Sequence, residues 1–218
     1  GPLRHTLLAG VDYRRFRQSS QTAFGSVTPI DIYEPVSTGV IAPAYARDPD
    51  FRSSELGYYA QDQIRWGERL SIILGARRDR ANADTQGGAS QHDEATTFRA
   101  GVIGEIGAGV SPYISYAESF LPVAGLDFND RAFVPQRGRQ VEVGAKWVPM
   151  RGALFTASAY RIVDSNRPTN DPDNVLNTVQ TGEVRSRGVE FEGMYALRDG
   201  ITLTGSWSYN DAGVRRSN

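Results

Sequence analysis

Apolar and polar residues alternate along this chain in stretches of roughly ten residues, the length of a membrane-crossing strand. In QVEVGAKW, Val141, Val143, Ala145 and Trp147 share one parity, while Gln140, Glu142, Gly144 and Lys146 share the other. Only a β-strand has a side-chain period of two. The same alternation puts Leu7, Ala9, Val11 and Tyr13 on one face. It also separates Leu70, Ile72, Leu74 and Ala76 from Ser71, Arg77 and Asp79.

The pattern predicts nine strands: about Arg4–Arg17, Glu55–Trp66, Leu70–Ala83, Thr96–Ile106, Val110–Phe120, Arg137–Val148, Ala153–Val163, Val184–Leu197 and Ile201–Asn210. Short turns at Gly67–Arg69, Gly107–Gly109, Pro149–Gly152 and Arg198–Gly200 carry glycine where positive φ is needed. They alternate with long polar connections: Gln18–Ser54, ADTQGGASQHDE, LPVAGLDFNDRAFVP and DSNRPTNDPDNVLN. Outer-membrane barrels place short turns on the periplasmic side and long loops outside. The predicted fold is therefore all-β: an antiparallel up-and-down meander forming part of a transmembrane β-barrel. A soluble β-sandwich binding module is the alternative on pattern alone. Trp66 and Trp147, at strand ends beside short turns, fit an interfacial aromatic girdle.

The polar face carries full charges. Arg77, Asp79, Glu142, Lys146, Arg185, Arg187, Glu190 and Glu192 are expected along one wall. Such a density of charge is prohibitive in a dry core, so the wall faces water or a polar domain. A solvated ion-pair ladder explains these residues better than ligand contact does. Two residues break the alternation. Arg78 shares parity with Leu74 and Ala76, near the loop end, within reach of lipid headgroups. Asp62 shares parity with Tyr58, Ala60 and Ile64, which calls for a local bulge or the opposite facing.

Composition narrows the functional classes. The chain has 218 residues and a net charge of -1, with no general attraction for nucleic acid. It has no cysteine, hence no disulfide or thiolate metal site. No apolar run approaches the roughly 20 residues of a membrane-spanning helix. The first residues, GPLRHTLLAG, do not read as a signal peptide and already lie within a strand, as expected of a fragment of a longer protein. His5 and His92 are the only histidines, and no nucleophile elbow, phosphate loop or H-E-x-x-H is present, so no enzymatic activity is expected. The two DPD sequences, at Asp48–Asp50 and Asp171–Asp173, read as turns rather than Ca²⁺ sites.

Several segments resemble TonB-dependent siderophore receptors of Gram-negative outer membranes. They are ELGYYAQDQIRW with LSIILGARRDR, then VSPYISYAESFLPVAG, FVPQRGRQVEVGAKW and VQTGEVRSRGVEFEG, in the family's order. The resemblance implies part of a barrel of about 22 strands, closed by a plug. It implies a place in the cell outer membrane and uptake of ferric siderophore powered by TonB. No resident cofactor is implied, because ferric iron travels only as the siderophore complex. The partners implied are the siderophore, outer-membrane lipid, the plug and TonB. The plug, the TonB box and the terminal aromatic strand are not found here, so residues 1–218 are expected to be an internal barrel piece with unpaired edges. Cobalamin or a glycan is the alternative cargo. Loop aromatics and arginines suit anionic or aromatic chelates. The candidate contacts are Tyr33, Tyr45, Phe51, Phe120, Phe128, Arg131 and Phe133, at positions where loop packing is the commoner role.

Overall fold

Each period-two segment pairs with its neighbour in sequence. The computed structural model describes residues 2–25, 30–36, 43–88, 90–198 and 200–216. Its strands are β1 (Leu3–Gln18), β2 (Gln21–Thr22), β3 (Ala46–Arg47), β4 (Phe51–Trp66), β5 (Leu70–Thr85), β6 (Ser90–Gly104), β7 (Val110–Leu121), β8 (Gln136–Trp147), β9 (Ala153–Asn170), β10 (Thr178–Arg198) and β11 (Ile201–Arg216). Nine of them form one sheet in the order β1-β4-β5-β6-β7-β8-β9-β10-β11, and β2 pairs with β3 alone. Every long pairing is antiparallel. This is the expected meander, without a crossover. The only other sheet among the described residues is the two-residue β2–β3 ladder, so nothing here builds a sandwich.

The strands overshoot their predicted ends. β5 and β6 continue through most of ADTQGGASQHDE, β9 reaches Asn170, β10 starts at Thr178, and β11 runs to Arg216. Beyond the apolar band both faces meet water, so alternation fades while the backbone ladder continues. The predicted Gln18–Ser54 loop likewise shrinks, because β4 begins at Phe51 and β2–β3 form inside it.

Register sorts the side chains into two faces. One row runs Ile64–Ile72–Val102–Ile114–Val143–Ala159–Val189–Tyr209 across β4 to β11. The next row runs Gln63–Ile73–Gly101–Ser115–Glu142–Tyr160–Gly188–Asn210. The first belongs to an apolar face and the second to a polar one. Val141, Val143, Ala145 and Trp147 share the apolar face, opposite Glu142 and Lys146. Among the described residues the only buried hydrophobics are Ala81, Ala95 and Ala153, while Leu7 is 78% exposed. A sheet this long with its apolar face uncovered has no water-soluble core.

Three expected facings change. Arg185 and Arg187 lie on the apolar-face parity with Val189 and Phe191, not with Glu190 and Glu192. β9 and β10 pair without a register shift, so period two leaves no other choice. Asp62 needs no bulge: β1–β4 and β4–β5 are continuous, which places it on the apolar face between Leu7 and Leu74. Its partner there is His5, whose Nδ1 lies 2.7 Å from Asp62 Oδ2. Asp62 Oδ1 is buried without a hydrogen bond. Arg78, also on the apolar face, hydrogen-bonds Thr96 Oγ1 at 3.0 Å and ion-pairs with Glu94.

Candidate functional site

The polar face is a flat-lying network. Arg77 crosses β4 to reach Asp12 at 2.6 Å on β1, and also binds Asp79 on its own strand at 2.7 Å. Gly57 permits the crossing, since a Cβ there would sit 2.1 Å from Arg77 Nη2. The ring of Tyr59 lies 5.9 Å from the guanidinium carbon. On β7, Tyr113 donates to Glu142 Oε1 at 2.7 Å, passing over Gly144, where a Cβ would come within 2.7 Å of its ring. Glu190 and Glu192 make no ion pair with a described residue.

The strand ends away from the short turns carry the long loops. At the base of the first loop, Asp50 is 6% exposed. Its carboxylate accepts from Arg17 at 3.0 Å, Ser19 at 2.8 Å and Arg47 at 3.1 Å. Those bonds, Arg17's foremost, hold the Asp50 carboxyl well below the ordinary carboxylate range. Asp48 accepts from Thr22 at 2.5 Å and Ser20 at 2.8 Å, which lowers its pKa too. Both aspartates of the first DPD are thus loop fasteners. In the second, Asp171 Oδ1 accepts Asp173 N at 2.9 Å, a side-chain turn.

The loop between β7 and β8 is strapped to polar-face side chains. Gln91 on β6 donates to Val123 O at 2.9 Å and Phe133 O at 2.7 Å. Gln180 on β10 accepts from Val134 N at 2.9 Å and donates to Val134 O at 2.7 Å. Asn166 on β9 donates to Pro135 O at 3.0 Å. The tip is shaped by Asp127, which accepts the amides of Asn129 and Arg131 at 2.8 and 2.9 Å. The loop is therefore drawn over the polar side of the sheet.

The seven candidates divide. Phe128 and Arg131 are exposed at this tip. Phe133 is half-buried with its ring against Gly125. Tyr33 and Tyr45 are exposed in the first loop, Tyr33 following a turn in which its amide donates to Asp31 at 2.8 Å. Phe51 is a strand residue, its ring 6.2 Å from Phe16 on the polar face. Phe120 takes the apolar-face parity opposite Arg137, away from the polar wall. Among the described residues, no ring contact or hydrogen bond joins the first-loop candidates to those of the second. The missed residues are Phe16, Gln91, Asn166 and Gln180. Strand parity carried to the loop ends is the signal that finds them.

An uncovered apolar face, a charged opposite face and connections alternating between short and long define a membrane β-barrel wall. Residues 1–218 match the family model described as TonB dependent receptor-like, beta-barrel. The chain belongs to the TonB-dependent receptor family, whose barrels sit in the outer membrane and transport rather than catalyse. It is 34% identical to the ferrichrome outer membrane transporter/phage receptor of Escherichia coli, over 97% of this chain and 30% of that protein. It is 31% identical to a ferrioxamine B receptor of Salmonella typhimurium, over 100% of this chain and 32% of that one. The fold matches Pseudomonas aeruginosa FpvA bound to heterologous pyoverdines with a TM-score of 0.80 at 15% identity, covering 98% of this chain and 31% of that chain. The chain thus spans about a third of the length of the relatives it matches. In this family the apolar face meets lipid and the polar face lines the lumen.

Proposed function

We propose that this chain is the partial barrel wall of a receptor that imports a ferric siderophore across the outer membrane. The observation carrying this reading is the strap. Gln91, Asn166 and Gln180 draw the Leu121–Pro135 segment over the lumen side, leaving Phe128 and Arg131 exposed at its tip. Arg131 offers charge and Phe128 a ring face to an anionic, partly aromatic chelate. Tyr33 and Tyr45 of the first loop extend the capture surface, and Phe51 stands at the lumen mouth. The relatives' cargo, ferrichrome and ferrioxamine B, supports a siderophore over cobalamin or a glycan.

The plug and TonB enter on the same reading. Glu190 and Glu192, with Glu142, whose oxygens accept from Tyr113 and Gln140, form an acidic stretch of lumen wall across β8–β10. Cationic side chains of a polar plug would neutralise it, and TonB would act through that plug. The test uses a complete receptor carrying this segment, in iron-starved cells. Residues 122–134 are replaced by a short Gly-Ser link and surface display is confirmed. Uptake of ferrichrome and ferrioxamine B labelled with radioactive iron is then measured. Loss of binding and uptake is expected. Unchanged binding and uptake of a chelate that the intact receptor transports removes the strapped loop from the site.

A further inference from the structure

The apolar side of the sheet carries a track of arginines that uptake does not use. Arg137 and Arg139 on β8, Arg161 on β9, and Arg185 and Arg187 on β10 all have the parity of that face. β8, β9 and β10 each have a paired strand on both sides, so the track is interior to the sheet. Arg161 lies directly opposite Arg187, and Arg139 is one same-face step higher on the strand next to Arg161. From Arg137 to Arg187 the track runs obliquely over three strands, about 16 Å. Like charges directly opposed destabilise a ladder, and the acids of this face do not cancel them. Arg187 is held by Asp211 at 2.9 Å and Arg185 by Glu183 at 3.2 Å, while Arg185 Nε stays buried without an acceptor. Glu118, opposite Arg139, is engaged by the Tyr116 hydroxyl and the Phe98 amide. Arg137, Arg139 and Arg161 are exposed and have no ion pair among the described residues.

We propose that this track binds a lipid carrying two phosphates, in the leaflet on the long-loop side. Height selects a lipid of that leaflet. Arg139 stands eight residues above Trp147, the girdle residue ending β8, about 20 Å up an apolar band about 25 Å tall. Arginine stems a step lower lie along apolar surface and lift the guanidinium towards the headgroups. The same-face row beneath, Ile114–Val143–Ala159–Val189, is apolar and suits acyl chains. Chemistry selects phosphate, because a guanidinium grips its oxygens by paired, charge-assisted hydrogen bonds. Number selects two phosphates. Arg137 with Arg139, and Arg161 with Arg187, form two pairs of neighbouring guanidinia whose centres are about 12 Å apart. A lipid with one phosphate would leave one pair unmatched.

The experiment needs no cargo, so its failure and that of the uptake reading are separate. The complete receptor is stripped of lipid in a non-ionic detergent. Diphosphoryl lipid A is titrated in, and its adducts are resolved by native mass spectrometry. The double variant Arg139→Gln, Arg161→Gln should lose one tightly bound copy, with affinity at that site falling about tenfold or more. Arg151→Gln, at an exposed arginine in the β8–β9 turn of the other leaflet, should keep it. Monophosphoryl lipid A and phosphatidylglycerol should bind the same site about tenfold more weakly than the diphosphoryl lipid. Heat-resistant gel mobility confirms that each variant is folded. Diphosphoryl lipid binding unchanged in the double variant, or equal binding of the monophosphoryl form, overturns the proposal. So does displacement of the lipid by an equal concentration of inorganic pyrophosphate, which would mark a phosphate site with no use for acyl chains.

Discussion

Removing His5 should cost far more stability than removing its partner Asp62. Asp62 is four residues from Trp66, the girdle residue ending β4, which sets it about 10 Å into an apolar band about 25 Å tall. Its neighbours across the ladder are Leu7 and Leu74. Only His5 satisfies it, at 2.7 Å, and its second oxygen is already unpartnered. His5→Leu abolishes a charge-assisted hydrogen bond and strands the carboxyl in hydrocarbon. The removal of one partner of a buried pair costs about 3–5 kcal/mol, whereas an uncompensated charge at the bilayer midplane of a barrel costs about 2–4 kcal/mol for Arg or Lys and less for Asp. His5→Leu should fall near 3 kcal/mol on that scale. Asp62→Leu deletes the orphaned oxygen and fits the apolar row. Its cost should be under about 1 kcal/mol. The double variant should match or exceed wild-type stability, as when apolar residues replace a buried ion pair. Urea titrations of the complete receptor in phosphatidylcholine vesicles, read by gel mobility and tryptophan emission, give all three values. Equal losses for the two single variants, or a double variant as weak as His5→Leu, would refute the reasoning.

Other expectations follow from the same faces and straps. Val143→Arg should destabilise the barrel by about 2–4 kcal/mol while Glu142→Gln costs much less, measured in the same titration; equal costs would deny that Val143 faces lipid. The depressed pKa of Asp50 means that its latch contributes fully above the ordinary carboxylate value of 3.8 and is lost only as pH falls through the lower folded value. Protease resistance of the first loop should therefore persist at pH 4 and fail under stronger acid, whereas Asp50→Asn should lose it at neutral pH. Gln180→Ala should raise amide exchange across residues 122–135 by about tenfold, the equivalent of roughly 1.4 kcal/mol, without altering exchange in β5. Hydrogen-exchange mass spectrometry checks both regions.

The apolar band was legible because lipid and water impose opposite demands on alternate residues. QVEVGAKW is written by that contrast, and its register follows. Where the contrast stops, so does legibility. Thr178–Gln180 and Ser165–Asn170 are strands held by the backbone ladder, with no apolar parity to announce them. Arg185 and Arg187 read as polar-wall residues by charge, whereas their parity with Val189 and Phe191 puts them on the opposite face. Asp62 has the apolar parity, yet its charge argues for a bulge in sequence, because its partner lies 57 residues away on a strand adjacent only in the fold. Only residue type marks the loop candidates in the sequence. Type did not separate Phe133, packed against Gly125, from Phe128, which is open. Nor could it reveal glutamines that hold a loop by its carbonyls.

The overshoot of the strands has a mechanical consequence. β9 and β10 are 18 and 21 residues long, whereas about 9–11 residues cross a bilayer. At roughly 3.3 Å per residue and a tilt near 40°, the surplus extends about 20 Å for β9 and about 28 Å for β10 beyond the hydrocarbon. The hairpins thus form a stiff standpipe, with its rim held far from the insertion zone. On the proposed function, a cargo seized at that rim would have to descend the pipe before it reached bilayer depth. Because the stem is braced by its own ladder, the rim can exchange residues, lengthen or shorten without disturbing the fit of the wall to lipid. If the rim recognises cargo as proposed, recognition and anchoring are mounted at different heights on the same strands, so each can drift without the other.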